Sequence, residues 1–325
     1  MKEERLLYLL EKNGNQFLEG RHIAKSLGIS RVHLLKGIRR LEEWGYRVSF
    51  QPPDGYKLCH RPDLLTPLEV KSGLKTCFIG QEIYTFKETG STNDVAYRLA
   101  VFGAKEGVAV VAESQRRGRG RLGRRWESPP SVNIYTSIVL RPAITPALGH
   151  QITLVSAVAA VAAIRRVTDL TPNLRWPNDI TLNGKKVGGI LTEMSQAGDR
   201  IEFSIIGIGI NVNATKDMFP DELRALATSL KEEGGRDYSR AALVRALYEE
   251  LEGRYLTFNK IGMVPIIEEW ERLSELKGRR VKFICQERPF TGVVLGLDPS
   301  GCLLIREDSG AALAVPVGQV IKVEV

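Results

Sequence analysis

The most distinctive stretch of this sequence reads Gln115-Arg116-Arg117-Gly118-Arg119-Gly120-Arg121-Leu122-Gly123-Arg124-Arg125-Trp126. It holds six arginines and three glycines and has no acidic residue. Glycines let a backbone adopt positive φ and approach a ligand closely, and arginines supply paired donors for phosphate or carboxylate. Because its like charges repel one another, we expect the segment to stay disordered until an anion binds. This stretch, residues 115–126, is predicted to be an anion-binding loop, the arginine–glycine loop.

The chain on either side of this loop has the pattern of β-strands. Residues 108–112 precede it and residues 134–140 follow it, and both are apolar runs of strand length. An RGG-like segment that binds nucleic acid is the alternative interpretation. The position between two strands favours an internal loop over such a tail.

Further strands and helices define a central zone, residues 66–273. Strands are predicted at 185–193 and 201–210, and helices at 92–103, 152–167 and 238–260. The strands are not separated by regular crossover helices, which argues against a doubly wound sheet. The fold class of this zone is therefore α+β, with a largely antiparallel or mixed sheet.

A second motif combines a turn with a glycine-containing strand. It reads Arg175-Trp176-Pro177-Asn178-Asp179-Ile180 and continues, after a hairpin turn at Asn183-Gly184, to Lys186-Val187-Gly188-Gly189-Ile190. The paired glycines would leave room for a flat ligand, and the lysine could neutralise a carboxylate and a phosphate together. Taken alone, the motif is more typical of ordinary turn residues and a solvated lysine than of a ligand site.

Two shorter motifs complete the set. The segment Ile206-Gly207-Ile208-Gly209-Ile210-Asn211-Val212-Asn213 superficially resembles a dinucleotide-binding loop, but its spacing differs and no helix follows it. It is better interpreted as a glycine-rich central strand beneath a ligand. Ser91, in the segment 88–94, is a plausible N-cap, and a helix that begins there would offer backbone donors to an anion.

The N-terminal zone, residues 1–65, has the order of a winged helix-turn-helix. A first helix contains Leu6, Leu7 and Leu10, and a second ends at Gly28, a residue typical of helix ends. Ser30 should cap a third helix, whose apolar positions are expected to be Val32, Leu35, Ile38 and Leu41. A strand at 46–50, a Pro-Pro-Asp-Gly turn and a returning strand then form the wing.

The C-terminal zone, residues 274–325, consists of short strands. They are predicted at 280–284, 291–297, 302–306, 311–316 and 319–325, with turns at 286–288, 298–301 and 308–310. Five short strands of this kind indicate a small SH3-like barrel.

The composition limits the classes of protein to consider. The chain of 325 residues is 43% hydrophobic and 26% charged, which is ordinary for a soluble globular protein, and its net charge of +8 favours anionic partners. The four cysteines and four histidines lack the spacing of zinc ligands, so we expect no metal site. No signal peptide is expected, and the most apolar stretch, 154–164, is too short to cross a bilayer. A cytoplasmic protein that does not enter membranes is the expectation.

In order and spacing, these motifs resemble those of the biotin–protein ligases. The resemblance extends over nearly the whole chain, and the winged helix and barrel make it similar to the bacterial bifunctional class, the biotin operon repressors. The arginine–glycine loop is the most specific motif, and the others are strong in combination. The segments that carry the resemblance are 91–93, 118–124, 175–179, 186–190 and 209–211.

The resemblance implies the fold shared by biotin and lipoate ligases, and it implies roles for individual residues. A biotin site would be formed by Ser91, Thr92, Asn93, Gln115, Arg119, Gly120, Arg121, Lys186, Gly188 and Gly189. A nucleotide site would be formed by Arg119, Arg121, Trp126, Asn178, Lys186 and Asn211. Lys186 and the two arginines would act in catalysis by stabilising charge at the α-phosphorus. Asp179 is our candidate for orienting or deprotonating the acceptor lysine.

The resemblance also implies substrates and partners. ATP, with Mg²⁺ as its counterion, would convert biotin to biotinyl-5′-AMP. The biotin would then pass to a lysine of the biotin carboxyl carrier protein of acetyl-CoA carboxylase. Biotinyl-AMP would also act as a corepressor that promotes homodimerisation. Operator DNA would be contacted by Ser30, Arg31, His33, Lys36 and Arg39 on the recognition helix.

Two alternatives remain open at this level. A lipoate–protein ligase would share the chemistry and the fold, although the arginine–glycine loop and the winged helix favour biotin. A transcriptional biotin sensor without ligase activity would keep the ligand site but lack catalytic groups, whereas Lys186 and the arginines are present.

Overall fold

The computed structural model describes residues 2–14, 16–285, 288–316 and 320–324. The chain divides into two compact units, residues 1–75 and residues 76–325. The boundaries of the three predicted domains stay a prediction. The helix Pro67–Lys71 belongs to the first unit although it lies beyond residue 65, and the C-terminal strands lie within the second unit.

The first unit is a winged helix-turn-helix, as expected from the sequence. Most of its core is formed by apolar side chains of the first three helices, among them Leu6, Leu10, Ile23 and Leu34. Its elements are α1 (Lys2–Lys12), α2 (Gly20–Leu27), α3 (Arg31–Glu43), β1 (Arg47–Gln51), β2 (Gly55–His60) and α4 (Pro67–Lys71).

The turn between α2 and α3 follows the sequence signals. Gly28 adopts the left-handed conformation with φ 61°, and the Ser30 side chain accepts a hydrogen bond from the backbone N–H of His33. The expected apolar face of α3 was wrong in part: Val32 is 61% exposed and Leu35 is 42% exposed. The buried face consists of Leu34, Ile38 and Leu41. The expected positions are each three residues apart, and such positions drift around a helix that has 3.6 residues per turn. The buried positions are spaced by four residues and then by three, which keeps them on one face.

The second unit contains a seven-stranded sheet in the order β3-β4-β5-β9-β8-β7-β6. Only β3 and β4 are parallel, so the predicted mixed, largely antiparallel sheet is confirmed. Its strands are β3 (Ile83–Phe86), β4 (Ala109–Ala112), β5 (Ile134–Leu140), β6 (Asn173–Arg175), β7 (Asp179–Leu182), β8 (Lys185–Ala197) and β9 (Arg200–Ile210).

Helices cover the two faces of this sheet. On one face, Thr136 of β5 hydrogen-bonds Tyr248 of the helix Arg240–Ile261. On the other face, the neighbouring Ser137 hydrogen-bonds Thr92 at the start of the helix Thr92–Val101. This alternation follows from the two-residue period of a strand. The helices are α5 (Thr92–Val101), α6 (His150–Val167), α7 (Leu230–Gly234), α8 (Arg240–Ile261) and α9 (Val264–Leu273).

The alanine-rich helix α6 is part of the protein core. By length and composition, residues 146–167 could cross a membrane, but 78% of the apolar window is buried inside the protein. α6 packs against α8 and β8, which accounts for its apolar surface on nearly every side.

The last part of the second unit is a five-stranded antiparallel sheet in the order β13-β12-β11-β10-β14, as expected of a small SH3-like barrel. The strands are β10 (Arg280–Cys285), β11 (Arg288–Leu297), β12 (Leu303–Glu307), β13 (Ala312–Val315) and β14 (Val320–Glu324). Residues 286 and 287 of one predicted turn, and residues 319 and 325 of the last predicted strand, lie outside the described residues.

Candidate active site

A cavity of about 490 Å³ opens on the α5 side of the seven-stranded sheet. This volume lies within the range of small-molecule sites. The four motifs meet in it, because strands distant in sequence are neighbours in the sheet. Of the expected ligand-binding residues, those that line it are Ser91, Thr92, Asn93, Gln115, Arg119, Gly120, Arg121, Trp126, Asn178, Asp179, Lys186, Gly189 and Asn211.

Gly188 is the exception among the expected biotin-binding residues. It does not line the cavity, and a Cβ at this position would lie 3.1 Å from Cδ1 of Ile180. Successive residues of a strand point to opposite faces, so Gly189 and Gly188 cannot both face the same ligand. The structure does not support the expected contact of Gly188 with biotin.

The floor of the cavity is made of glycines on β8 and β9. Gly189 is paired with Gly209 across the two strands. A Cβ on Gly209 would lie 2.6 Å from Cε2 of Trp126, and one on Gly207 would lie 2.2 Å from Oδ1 of Asn93. These positions need glycine because an indole and an amide lie directly on the backbone. The predicted glycine-rich central strand is confirmed.

One end of the cavity is lined by small polar side chains. Ser91 is the N-cap residue of α5, but its side chain makes no capping hydrogen bond. Gln115 caps the helix instead: its Oε1 accepts from the backbone N–H of Thr92 at 2.9 Å. Ser137, which the sequence analysis missed, donates to Oγ1 of Thr92 at 2.7 Å and to Oδ1 of Asn93 at 2.6 Å.

Two acidic residues that the sequence analysis missed hold Arg119. Its guanidinium lies 2.6 Å from Oδ1 of Asp94 and 3.1 Å from Oε1 of Glu193. Burial alone would lower the pKa of Arg119, but the hydrogen bond that Arg119 donates to Asp94 and the charge of Glu193 raise that pKa above its ordinary value. Side chains at every second position of a strand point to the same face. Glu193 therefore lies on the same face as Gly189, and this period could have predicted that the glutamate belongs to the site.

The other end of the cavity carries cationic groups. Nζ of Lys186 lies 2.6 Å from Oδ1 of Asp179 and 5.4 Å from the centre of the Trp126 ring. Arg121 donates to Oδ1 of Asn178 at 3.4 Å. Burial lowers the pKa of Arg121, against the opposing effect of the Asp179 charge. Because arginine keeps its proton at neutral pH, Arg121 brings a positive charge to this end, where Lys186 is held in an ion pair with Asp179.

The arginine–glycine loop folds back as a hairpin over the cavity. The N–H of Gly120 donates to the carbonyl of Arg124 at 2.7 Å, and the N–H of Trp126 donates to the carbonyl of Gly118 at 3.0 Å. Within the described part of the chain, the buried indole N–H of Trp126 has no hydrogen-bond partner, so it is an available donor. The expectation that an anion orders this loop stays a prediction.

The five residues expected to contact DNA are all exposed: Ser30 is the N-cap residue of α3, and residues 31, 33, 36 and 39 lie on this helix. Oγ of Ser30 lies 2.7 Å from Nδ1 of His33, so these two side chains contact one another at the helix start. Among the described residues, no group of three or more histidine, cysteine, aspartate or glutamate side chains could hold a metal ion.

Comparisons with known proteins agree with this geometry. Residues 86–211 match the Biotin/lipoate A/B protein ligase family, residues 2–57 match an HTH domain, and residues 277–323 match the biotin protein ligase C terminal domain. The biotin protein ligase from Aquifex aeolicus in complex with biotin and ATP is 30% identical with a TM-score of 0.65, covering 75% of this chain and 99% of that chain.

Curated relatives match all three zones at once. The bifunctional ligase/repressor BirA of Bacillus subtilis is 38% identical over 305 residues, which is 94% of this chain and 94% of the relative. The bifunctional ligase/repressor BirA of Escherichia coli is 31% identical over 93% of this chain and 92% of the relative. This chain therefore belongs to the family of bifunctional biotin ligase/repressors.

Proposed function

We propose that this chain makes biotinyl-5′-AMP from biotin and ATP, and that it transfers the biotin to a lysine of the biotin carboxyl carrier protein. The observation that carries the proposal is one cavity with a polar end at Thr92, Asn93 and Gln115 and a cationic end at Arg121 and Lys186. Biotin has a polar ring system at one end and a carboxylate at the other, so it would lie between these two ends.

The first step joins the biotin carboxylate to the α-phosphorus of ATP. A carboxylate oxygen forms the new P–O bond, and pyrophosphate leaves with the electron pair of the bond that breaks. Lys186 and Arg121 would stabilise the charge that develops at the α-phosphorus. When the substrates bind, Lys186 would leave its ion pair with Asp179 and contact the biotin carboxylate and the α-phosphate. Mg²⁺ would arrive with the triphosphate as part of the substrate.

Nucleotide binding is expected at the end that holds Trp126. The adenine ring would pack on its indole, with Asn178 and Asn211 at the reacting centre. Arg119 would hold the loop closed through Asp94 and Glu193. A closed loop would keep water away from the mixed anhydride, which water would otherwise hydrolyse.

The second step transfers biotin to the carrier. The lysine amine attacks the acyl carbon, the C–N bond forms, and AMP leaves with the electrons of the C–O bond. The amine must be neutral to attack, and Asp179 would orient it or accept its proton. This role requires that Lys186 has left Asp179 for the phosphate.

We also propose that the first unit binds operator DNA as a repressor, with biotinyl-AMP as corepressor. The basic, exposed face of α3 supports this role. Biotinyl-AMP would promote homodimerisation through ordering of the loop, and a dimer would bind a two-fold symmetric operator. Since DNA and carrier are then the partners, the protein would act in the cytoplasm.

The test is ATP–pyrophosphate exchange by the purified protein with biotin and, separately, with lipoate. Exchange with biotin alone would support a biotin ligase, and exchange with lipoate would support the alternative enzyme. A ligand-dependent gel shift on DNA upstream of the biotin genes would also support the repressor function. A gel shift with no exchange by either acid would contradict the ligase and indicate a sensor without catalysis.

A further inference from the structure

Arg240, the first residue of α8, is completely buried, with 0% of its surface exposed. Arginine is seldom fully buried unless it is paired. Its Nη1 lies 2.6 Å from Oε2 of Glu113 and donates to the carbonyl of Asn133 at 3.2 Å. None of these three residues lines the cavity, and none belongs to the motifs of the sequence analysis.

The two partners of Arg240 lie on either side of the arginine–glycine loop, at the two ends of the segment that joins β4 to β5. Glu113 follows β4 directly and precedes Gln115 by two residues, and Asn133 stands immediately before β5. One guanidinium therefore ties together the incoming and outgoing segments of the loop. The contact with Glu113 also fixes the start of the segment that contains Gln115. Gln115 in turn caps α5 at the polar end of the cavity.

The same network reaches Asn211, which lines the cavity. Oδ1 of Asn133 accepts from the N–H of Val212 at 2.9 Å, and its Nδ2 donates to Oδ1 of Asn211 at 3.4 Å. Nδ2 of Asn211 donates in turn to the carbonyl of Thr228 at 3.0 Å. Asn133 and Asn211 are both buried, so each amide has a fixed orientation.

We propose that Arg240 is a positioning residue for adenylate formation and retention. It acts by holding the base of the loop and the amide of Asn211 in one geometry. Stability alone is a weak reason for such a group, because well-packed apolar residues often replace a buried ion pair without loss. The inference rests on the proposed ligase function, since the loop and Asn211 matter only if an adenylate binds there.

The experiment compares Arg240→Met and Arg240→Lys with Arg254→Lys. Arg254 lies on the same helix and pairs with Glu250 and Glu269, none of which lines the cavity, so it is a matched control. Each full-length variant is assayed at a temperature at which circular dichroism shows it folded. The measurements are KM for ATP and for biotin in pyrophosphate exchange, release of biotinyl-AMP in a single turnover, and amide hydrogen exchange over residues 115–131.

We expect Arg240→Met to raise KM for ATP and the rate of adenylate release by roughly ten- to a hundredfold, because small displacements of positioning groups have effects of this size. Hydrogen exchange in the loop should rise in parallel. Arg240→Lys should recover part of each effect, and Arg254→Lys should change none. If Arg240→Met does not fold, the same measurements on Arg240→Lys test the positioning role.

Folded variants with wild-type KM, adenylate release and loop exchange would overturn the inference and leave Arg240 a purely structural residue. Equal effects in Arg254→Lys would overturn it as well. An inactive wild-type protein is a different result, because it contradicts the proposed ligase itself, and the hydrogen-exchange comparison would still test the attachment of the loop.

Discussion

At the glycines under the cavity, the structure leaves no space for a larger side chain. Gly209 lies beneath the indole of Trp126, and Gly207 lies beneath the amide of Asn93. Their φ angles are not in the left-handed region, so the need for glycine arises from space above the strand and not from backbone conformation.

At this scale, Gly209→Ala should displace Trp126 and raise KM for ATP by roughly ten- to a hundredfold, because the added Cβ would lie 2.6 Å from the ring. Gly253→Ala is the control: Gly253 lies within α8, and no atom lies within 4 Å of its added Cβ. The control should keep activity and gain up to about 1 kcal/mol in stability. Equal KM values for the two variants would contradict the assignment of Trp126 to the nucleotide.

A second prediction at the residue scale concerns Lys186. Lys186→Ala should abolish adenylate synthesis, because it removes the cation that would neutralise the biotin carboxylate and the α-phosphate together. Single-turnover formation of biotinyl-AMP is the measurement, and Lys185→Ala, an exposed neighbour, is the control. Near-normal synthesis by Lys186→Ala would refute its catalytic role.

At the scale of the element, α3 separates residues that stabilise the fold from residues available to a partner. Leu34 is fully buried, whereas Val32 is 61% exposed. Leu34→Ala should therefore cost about 2–5 kcal/mol of unfolding free energy, and Val32→Ala should change it by less than about 0.5 kcal/mol. Urea denaturation of the full chain, followed by circular dichroism, measures both. Comparable losses would mean that the face assignment of α3 is wrong.

The exposed face of α3 leads to a prediction about DNA. Replacing Arg31, Lys36 or Arg39 by alanine should weaken binding and reduce the slope of log K against log salt by about one for each DNA phosphate that the protein no longer neutralises. Arg200→Ala removes an exposed charge from the other unit and serves as the control. A slope unchanged by all three α3 variants would assign DNA binding to a different surface.

At the scale of the whole molecule, catalysis and repression are expected to share one ligand. Biotin and ATP together should shift the wild-type protein from monomer towards dimer in sedimentation velocity, and should tighten operator binding. Lys186→Ala, which cannot make the adenylate, should show neither shift with the substrates but both with biotinyl-AMP added at a concentration that saturates its weakened site. Dimerisation that is independent of ligand would contradict the proposed coupling.

Much of this molecule is determined by local sequence. Gly28 and Ser30 mark the turn between α2 and α3, strand periodicity locates β5 and β9, and the arginine–glycine loop identifies the ligand site. These features are readable because capping, alternation and charge density depend on residues close in the chain.

The remainder was decided only when distant segments came together. Gln115, and not Ser91, caps α5. Asp94 and Glu193 hold Arg119. Arg240 lies more than one hundred residues from either of its partners and joins the segments before and after the loop. No short-range pattern records such contacts, because their energy comes from side chains that tertiary packing brings together and removes from water. The local periods of helix and strand separate Leu34 from Val32 and Gly188 from Gly189, and packing decided which face of each element is buried and which faces the cavity.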